Sequence, residues 1–252
     1  MSLEKSLNPT LLIDADLYLY RACAVAEEEV YWGDDVWSLS SDLKVAKSIF
    51  QDNIQNWCEE FETVDFILCI SDRDNFRKEI YPAYKGNRKN VRKPVGYKAL
   101  VQWARDTYET HTEAFLEADD VMGILGTAPD NNSIIISDDK DMKTLPCRLY
   151  RPVSGERLTV TQEQADYQWL LQSLTGDTTD GYAGLSGVGP KTAEKILGSR
   201  PTWQTVAKAY ADKGMSHDEA LTQARLARIL RYEDWDQTTS TLKLWTPPNA
   251  TV

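Results

Sequence analysis

Histidine and paired cysteines, which supply the ligands and bases of many hydrolases, are scarce in this chain of 252 residues. Only two histidines are present, His111 and His217, and neither has a second nitrogen or sulfur ligand near it in the sequence. Zinc hydrolysis and a histidine base are therefore disfavoured. No two cysteines have a CxxC spacing, which disfavours a zinc knuckle and predicts reduced thiols. The cysteines are Cys23, Cys58, Cys69 and Cys147.

Long apolar runs are also missing from the sequence. No run approaches the length that crosses a bilayer, and the opening MSLEKSLNPT lacks a basic segment followed by an apolar one. We therefore expect a cytoplasmic protein without a membrane partner. Hydrophobic residues make up 42% of the chain, enough for one large domain or two small ones with a proper core.

The charge of the chain is unevenly distributed. A net charge of −11 ordinarily argues against a nucleic-acid partner, because phosphates are neutralised by lysine and arginine. Residues 73–105, here called the basic arm, nevertheless contain ten basic and two acidic residues, a net charge of +8. The arm has little apolar periodicity and is broken by proline and glycine, which is typical of a functional loop. A basic arm on an acidic body suggests nucleic acid. The alternative is a solvated helical surface.

Acidic residues follow several predicted strands. The apolar run Thr10–Ile13 ends at Asp14, and the run Val64–Ile70 is followed by Asp72. Ligands of open α/β sheets bind at the carboxyl ends of the strands, which makes both aspartates candidates for a site. A helix N-cap is the simpler interpretation of Asp14. The segment Glu27–Asp35 between these strands is predicted to be an acidic loop.

Two denser acidic clusters follow. Glu117, Asp119 and Asp120 fall within four residues, and the isoleucine-rich strand starting at Ser133 ends at a second cluster. The second cluster contains Asp138, Asp139 and Asp141. Carboxylates so close together repel one another unless cations neutralise them, which favours a metal site. Mg²⁺ suits such oxygen ligands.

The segment from Gly176 to Leu197 combines carboxylates with a glycine-rich turn. Asp177 and Asp180 are three residues apart at the end of an apolar helical run, so one turn of backbone would carry both carboxylates to the same side. The turn contains Gly184, Gly187 and Gly189, and a helix starts at Lys191 and Thr192. Backbone N–H groups at a helix start bind phosphate well. The alternatives are an ordinary turn with a C-cap, and aspartates that only cap helices.

Helical spacing predicts most of the remaining architecture. Apolar residues recur at helical intervals over Ser41–Phe61, and the chain from residue 161 onward is predicted to be helical. The predicted helices there are 161–174, 191–197, 203–210 and 218–232. We expect residues 1–160 to form an α/β core and residues 161–252 a helical region packed on it as one unit.

Four motifs carry a resemblance to a known family. GDTTDGYAGLSGVGPKTA is similar to GDxxDNxPGxxGxGxKTA, with Gly181 in place of asparagine and Ala183 in place of proline. FRKEIYPAYKGNR is similar to FRxxxYPxYKxxR, and EADD and the S/TxDxDxxxL pattern both occur, with Asp138 at a position that is commonly glycine. The chain resembles the flap endonuclease and 5′-to-3′ exonuclease family. The string KPVGY and the motif spacing are most similar to the compact bacteriophage enzymes.

The resemblance implies a fold and a metal site. The fold is an α/β, PIN-like nuclease core with a central, mostly parallel sheet flanked by helices, a helical arch at about 73–105, and a helix–three-turn–helix DNA-binding region. The implied cofactor is Mg²⁺, which Mn²⁺ can replace, and the resemblance also suggests K⁺ at the helix–three-turn–helix loop. The implied metal ligands are Asp14, Asp72, Glu117, Asp119, Asp120, Asp139, Asp141, Asp177 and Asp180. Asp138 is expected to be a bystander.

The resemblance also assigns roles to basic and glycine residues. Lys85 and Arg88 are expected to contact the scissile phosphate with help from Arg77, while Tyr84 stacks on a base. The residues expected to contact DNA are Gly184, Gly187, Gly189, Lys191, Thr192, Lys195, Arg92 and Lys93.

The implied function is metal-dependent 5′-to-3′ exonuclease activity, with flap endonuclease and RNase H-like primer-removal activity, in phage DNA replication or recombination. The expected partner is duplex DNA with 5′ ends or flaps, or an RNA/DNA hybrid, bound by a monomer in the host cytoplasm. Two rival hypotheses stay open. One is a DNA-binding protein without catalysis, and the other is a phosphatase with Asp14 as nucleophile and Asp16 as acid.

Overall fold

A central sheet of six strands organises the molecule. A computed structural model describes residues 8–199 and 201–248. The elements in chain order are β1 (Thr10–Asp14), α1 (Ala15–Val25), β2 (Glu27–Gly33), β3 (Val36–Ser41), α2 (Leu43–Glu60), β4 (Phe66–Cys69), α3 (Arg77–Ile80), α4 (Tyr97–Thr107), β5 (Thr110–His111), α5 (Ala118–Gly126), β6 (Ser133–Ile136), β7 (Arg148–Arg151), β8 (Glu156–Thr159), α6 (Gln162–Thr175), α7 (Pro190–Leu197), α8 (Trp203–Asp212), α9 (His217–Ala227), β9 (Trp235–Asp236) and β10 (Thr241–Leu242).

The sheet has the order β5-β4-β1-β6-β7-β8, and every neighbouring pair is parallel except β7 with β8. Its two faces are covered by different helices, because alternate residues of a strand point to opposite sides. In β1, Leu11 and Ile13 are buried with residues of α1, α2 and α4, whereas Leu12 is buried with α5 on the other face. The predicted α/β fold with a mostly parallel central sheet flanked by helices is therefore confirmed.

The C-terminal helices have a hydrophobic cluster of their own. Trp169, Leu174, Val206, Tyr210 and Ala224 are all buried in it, together with further residues of α6 to α9. The start of α6 is fixed by a capping box, in which Thr161 accepts from the backbone N–H of Gln164 at 3.2 Å. The division of the chain near residue 160 stays a prediction. None of the helices in the described residues is both long enough and apolar enough to span a bilayer.

Two expectations about secondary structure were wrong. The segment predicted as an acidic loop forms the antiparallel hairpin β2–β3, closed by Asp34 and Asp35 with φ of 49° and 59°. The helix predicted to reach residue 232 ends at Ala227, and the chain continues in an extended conformation. Its backbone is used there for tertiary contacts, because the carbonyl of Arg228 accepts from Arg77 at 2.6 Å.

The basic arm is helical only in part. Arg77–Ile80 forms one turn of α-helix, a 3₁₀ turn covers Gly86–Arg88, and α4 begins at Tyr97. The chain between these pieces is irregular. The helical arch stays a prediction.

Candidate active site

A cleft of about 1120 Å³ opens at the carboxyl ends of β1, β4 and β6, between the sheet and the basic arm. Parallel strands end at the same edge of a sheet, and this edge is where the loops after β1, β4 and β6 place their aspartates. Seven of the nine predicted metal ligands line the cleft. They are Asp14, Asp72, Glu117, Asp119, Asp139, Asp141 and Asp180.

Several carboxylates of the cleft are buried close to one another, which raises their pKa values. Burial raises the pKa of Asp14 to about 7, and repulsion from Asp16 and Asp139 adds to the effect. Burial also raises the pKa of Asp119 well above its usual range, assisted by repulsion from Asp14 and Asp139. The pKa of Asp141 rises to about 6 for the same two reasons, burial and the charge of Asp139. A bound cation would relieve this repulsion.

The chemistry of these donors fits a hard divalent cation. Carboxylate oxygens are the ligands that Mg²⁺ and Mn²⁺ prefer. Within residues 8–199 and 201–248, no three acidic, histidine or cysteine side chains converge closely enough to enclose an ion by themselves. Mg²⁺ usually keeps several waters and is bound by only one or two carboxylates of a protein. The carboxylates that line this cleft can supply that number without enclosing the ion.

A separate cluster pairs two cleft carboxylates with the basic arm. The Lys85 ammonium lies 2.5 Å from Glu117 and 3.6 Å from Asp180, and Arg88 contacts Asp180 at 2.6 Å. Burial raises the pKa of Glu117, but the charges of Lys85 and Arg77 outweigh it and lower that pKa to about 2. The two cations predicted to contact the scissile phosphate therefore stand beside the carboxylates.

The ring of Tyr84, which is predicted to stack on a base, is buried in this structure. Its side chain is only 3% exposed, and its hydroxyl lies 2.9 Å from both Glu117 and Asp180. The hydroxyl therefore lies between two cleft carboxylates, and the stacking role of Tyr84 stays a prediction. Tyr20 lines the cleft and is 39% exposed, which makes its ring the accessible one.

Asp120 and Arg77 lie outside the cleft lining and form a buried ion pair. Arg77 donates two hydrogen bonds of 2.7 Å to Asp120, and both side chains are at least 97% buried. Arg77 also donates to the carbonyls of Leu226 and Arg228, while the N–H of Leu230 donates to Asp120. The structure thus buries this pair between the α/β core and the chain after α9. The pair is placed to stabilise the fold, and the predicted roles of Asp120 at the metal and of Arg77 at the phosphate stay predictions.

Asp177 also lies outside the cleft lining. Its side chain accepts from Lys140 at 2.8 Å and from the N–H groups of Thr179 and Asp180 at 2.6 and 3.2 Å. Burial acts to raise the pKa of Asp177, but the contact with Lys140 prevails and lowers it. In this structure Asp177 therefore shapes the turn that carries Asp180, and the cleft contains only Asp180 of that pair.

The glycine turn divides into a buried and an exposed part. Gly184 is buried, and a Cβ atom there would lie 2.3 Å from the backbone of Gly176, so glycine is needed for the approach of two chain segments. Gly187 and Gly189 are exposed with open space around them. Gly187 and Gly189 are thus open to solvent, whereas Gly184 is packed against the chain, and DNA contact by all three stays a prediction. The start of α7, with Lys191, Thr192 and Lys195, is exposed beside them.

Other arm residues have partners within the protein. Arg92 forms a bidentate pair with Glu27 of the hairpin, at 2.6 and 2.9 Å, so its guanidinium is already occupied. Lys93 lies 4.6 Å above the ring of Tyr97. Asp138, expected to be a bystander, pairs with Arg21 and accepts from Tyr18 at 3.3 Å. It supports the cleft wall from outside the predicted metal group.

Comparison with known proteins identifies the family. The model of the 5′-3′ exonuclease N-terminal resolvase-like domain matches residues 9–168. The chain belongs to the 5′-3′ exonuclease family. It is 31% identical to the exodeoxyribonuclease of Enterobacteria phage T3 over 94% of this chain and 92% of that protein. It is 32% identical to the exonuclease of Escherichia phage T7 over 94% of this chain and 93% of that protein.

A solved structure supports the fold of this 5′-3′ exonuclease family member. The bacteriophage T5 flap endonuclease, in a pseudo-enzyme-product complex with DNA and metal ions, superimposes with a TM-score of 0.61. The match covers 87% of this chain and 88% of that chain at 17% sequence identity. The family resemblance predicted from the four motifs is therefore confirmed.

Three residues that form hydrogen bonds or ion pairs with distant parts of the chain were not predicted from the sequence. Asn87 lies inside the YKGNR string, at a position where the motif specifies no residue, yet its side chain donates to two carbonyls of the turn before the glycine loop. Glu27 and Lys140 partner Arg92 and Asp177. Of these three residues, only Asn87 could have been suspected from the sequence, because it lies next to Arg88 inside the motif.

Proposed function

We propose that the chain is a divalent-metal-dependent 5′-to-3′ exodeoxyribonuclease that also cleaves 5′ flaps. One observation carries the proposal: seven of the predicted metal ligands and the cations Lys85 and Arg88 line a single cleft at the carboxyl edge of the sheet. Metal-dependent phosphodiester hydrolysis uses both groups, because carboxylates bind the metal and cations stabilise the negative charge of the reacting phosphate. Family membership supports the same reaction.

The proposed cofactor is Mg²⁺, which Mn²⁺ can replace. The residues that would hold it are those lining the cleft with raised pKa values, Asp14, Asp119 and Asp141, with Asp139 beside them. When bound, the metal supplies an activated water nucleophile and neutralises charge on the leaving oxygen. The chain's own residues bind and orient the phosphodiester that reacts.

Lys85 and Arg88 are the proposed phosphate contacts. Their present partners, Glu117 and Asp180, are carboxylates of the same cleft. A phosphate arriving there can replace a carboxylate as the partner of a cation without moving the cation far. Tyr84 keeps Glu117 and Asp180 close together, and Tyr20 presents an accessible ring on which a base can stack.

The duplex is proposed to contact Gly187, Gly189 and the exposed start of α7. Both glycines and the first residues of α7 are exposed, and Lys191 and Lys195 add positive charge. K⁺ at this loop, activity on RNA/DNA hybrids, a monomeric state and a cytoplasmic location complete the proposal. A role in phage DNA replication or recombination follows from the similarity to phage enzymes.

The test uses a duplex labelled at its 5′ end, incubated with the protein and Mg²⁺ and then with EDTA. We expect labelled nucleotides or short fragments with Mg²⁺ and none with EDTA. Asp139→Asn is the matched inactive variant, because it removes a cleft charge and should leave DNA binding in Ca²⁺ nearly intact.

Other outcomes would support the rival functions. Binding of the duplex without any cleavage would indicate a DNA-binding protein. Hydrolysis of small phosphoesters alone would indicate the phosphatase. The structure gives the phosphatase little support, because Asp16, its proposed acid, accepts hydrogen bonds from the N–H of Ser71 at 3.0 Å and from Tyr97 at 3.3 Å.

A further inference from the structure

A short segment of the basic arm is tied to the turn that precedes the glycine loop. Residues 85–88, here called the strap, lie across residues 178–180. The N–H of Lys85 donates to the carbonyl of Asp180 at 2.7 Å, and Nε of Arg88 donates to the carbonyl of Thr179 at 3.2 Å. The side-chain amide of Asn87 donates to the carbonyls of Thr178 and Thr179 at 3.0 and 3.2 Å.

The two ends of this contact belong to different parts of the proposed site. On the strap, Lys85 and Arg88 are the cations placed beside the cleft carboxylates. On the other side, the turn continues directly into Gly184 and the exposed glycines that are proposed to meet the duplex. The turn is held internally, because the backbones of Asp177 and Tyr182 exchange hydrogen bonds of 2.9 and 3.1 Å.

Asn87 is the strap side chain whose contacts are all with this turn. Lys85 and Arg88 have side chains that also reach the carboxylates, and Gly86 has no side chain. The Asn87 amide can be removed without altering any charge. It is also exposed, so its loss leaves no buried group unsatisfied.

We infer that Asn87 is a positioning residue that couples duplex binding at the glycine turn to the placement of Lys85 and Arg88. This inference rests on the proposed nuclease function. A duplex bound at the glycine loop contacts the chain that continues from this turn, and the carbonyls of Thr178 and Thr179 pass the effect to the strap through Asn87, which fixes the cations over the cleft. A single strand that does not engage the turn gains nothing from this contact. Asn87 therefore affects cleavage of duplex substrates more than cleavage of single strands.

The experiment measures single-turnover cleavage in Mg²⁺ on two substrates that share the same 5′ single strand. One substrate ends in an adjoining duplex that reaches the glycine turn, and the other has no duplex. We expect Asn87→Ala to lower the rate advantage of the duplex substrate by about fivefold or more, as for a modest coupling between two sites. The rate on the single strand should stay within about twofold of wild type. Duplex affinity in Ca²⁺ should also be retained, because Gly187, Gly189 and Lys191 are unchanged.

Two further variants isolate the hydrogen bonds. Asn87→Asp keeps the size of the side chain but cannot donate to carbonyls, so it should lose the duplex advantage at least as much as Asn87→Ala. Asn90→Ala is the matched control, since Asn90 is an exposed asparagine of the same arm without a side-chain hydrogen bond to another residue of 8–199 or 201–248. It should behave as wild type.

Several results would overturn the inference. Equal losses on both substrates would show that Asn87 only maintains the local structure. An unchanged duplex advantage in Asn87→Ala, or one retained in Asn87→Asp, would show that the amide contacts carry no coupling. Absence of cleavage by the wild-type protein in Mg²⁺ would instead refute the nuclease function, which separates the two failures.

Discussion

Replacing Asp120 by asparagine should destabilise the fold and leave metal binding nearly unchanged. Asp120 is fully buried and accepts two hydrogen bonds of 2.7 Å from Arg77. It also accepts from the N–H of Leu230 at 3.1 Å and from the N–H of Glu117 at 3.2 Å. The asparagine variant removes the nearer charged partner of the buried Arg77 cation and leaves only Glu117, at 3.4 Å. Breaking a buried ion pair in this way costs about 3–5 kcal/mol.

The assay is thermal and urea unfolding of the metal-free protein, paired with calorimetric titration of Mg²⁺. A loss of about 3 kcal/mol corresponds to a Tm lower by roughly 10 °C for a chain of this length. Asp119→Asn is the matched control, because it changes the neighbouring carboxylate by the same chemistry. Burial and then repulsion from Asp14 and Asp139 raise the pKa of Asp119, so neutralising it should not lower stability. It should weaken Mg²⁺ binding.

One result would refute this reasoning. If Asp120→Asn keeps the wild-type Tm but loses Mg²⁺ binding as Asp119→Asn does, Asp120 is a metal ligand. The structural role assigned to its pair with Arg77 would then be wrong.

Two further predictions concern the cleft. Lys85→Ala should lower the single-turnover cleavage rate by about tenfold or more, as expected for loss of one charge at the transition state. Lys98→Ala, outside the motif, should only weaken DNA binding in a salt-dependent way. Equal behaviour of the two variants would remove Lys85 from the catalytic group. Burial raises the pKa of Asp14 from 3.8 to about 7, so the folded protein holds this proton more tightly than the unfolded chain. The free energy of unfolding of metal-free protein should therefore fall as pH rises from about 4 to about 7. Urea unfolding across this range checks it, and Asp14→Asn should show a smaller dependence on pH.

Much of the fold could be predicted because its signals are local. Short apolar runs such as Thr10–Ile13 can bury both faces only in the middle of a sheet, and an aspartate placed after such a strand must lie at the sheet edge. The segment Ser41–Phe61 has helical spacing, and α2 occupies Leu43–Glu60. The hairpin β2–β3 was missed because β2 begins with three glutamates, which indicated an acidic loop, and because neither strand has a buried residue.

The motifs by themselves determined the family, since their residue types and spacing are those of its members. They could not determine what each side chain touches. Asp119 and Asp120 are adjacent in sequence, yet neighbours on a helix point about 100° apart, and the packing of the chain after α9 decides that Asp119 faces the cleft and Asp120 faces Arg77.

The same holds for the basic and glycine residues. A phosphate and a carboxylate satisfy an arginine equally well, so only the position of Glu27 on the hairpin shows that Arg92 already has a partner. Glycines that allow a close approach of two backbones look in sequence like glycines that admit DNA. The sequence determined the class of fold and the chemistry of the cleft, because these depend on local pattern and residue type. Tertiary structure decided which charges are free, because that depends on groups far apart in the chain that folding brings within hydrogen-bond distance.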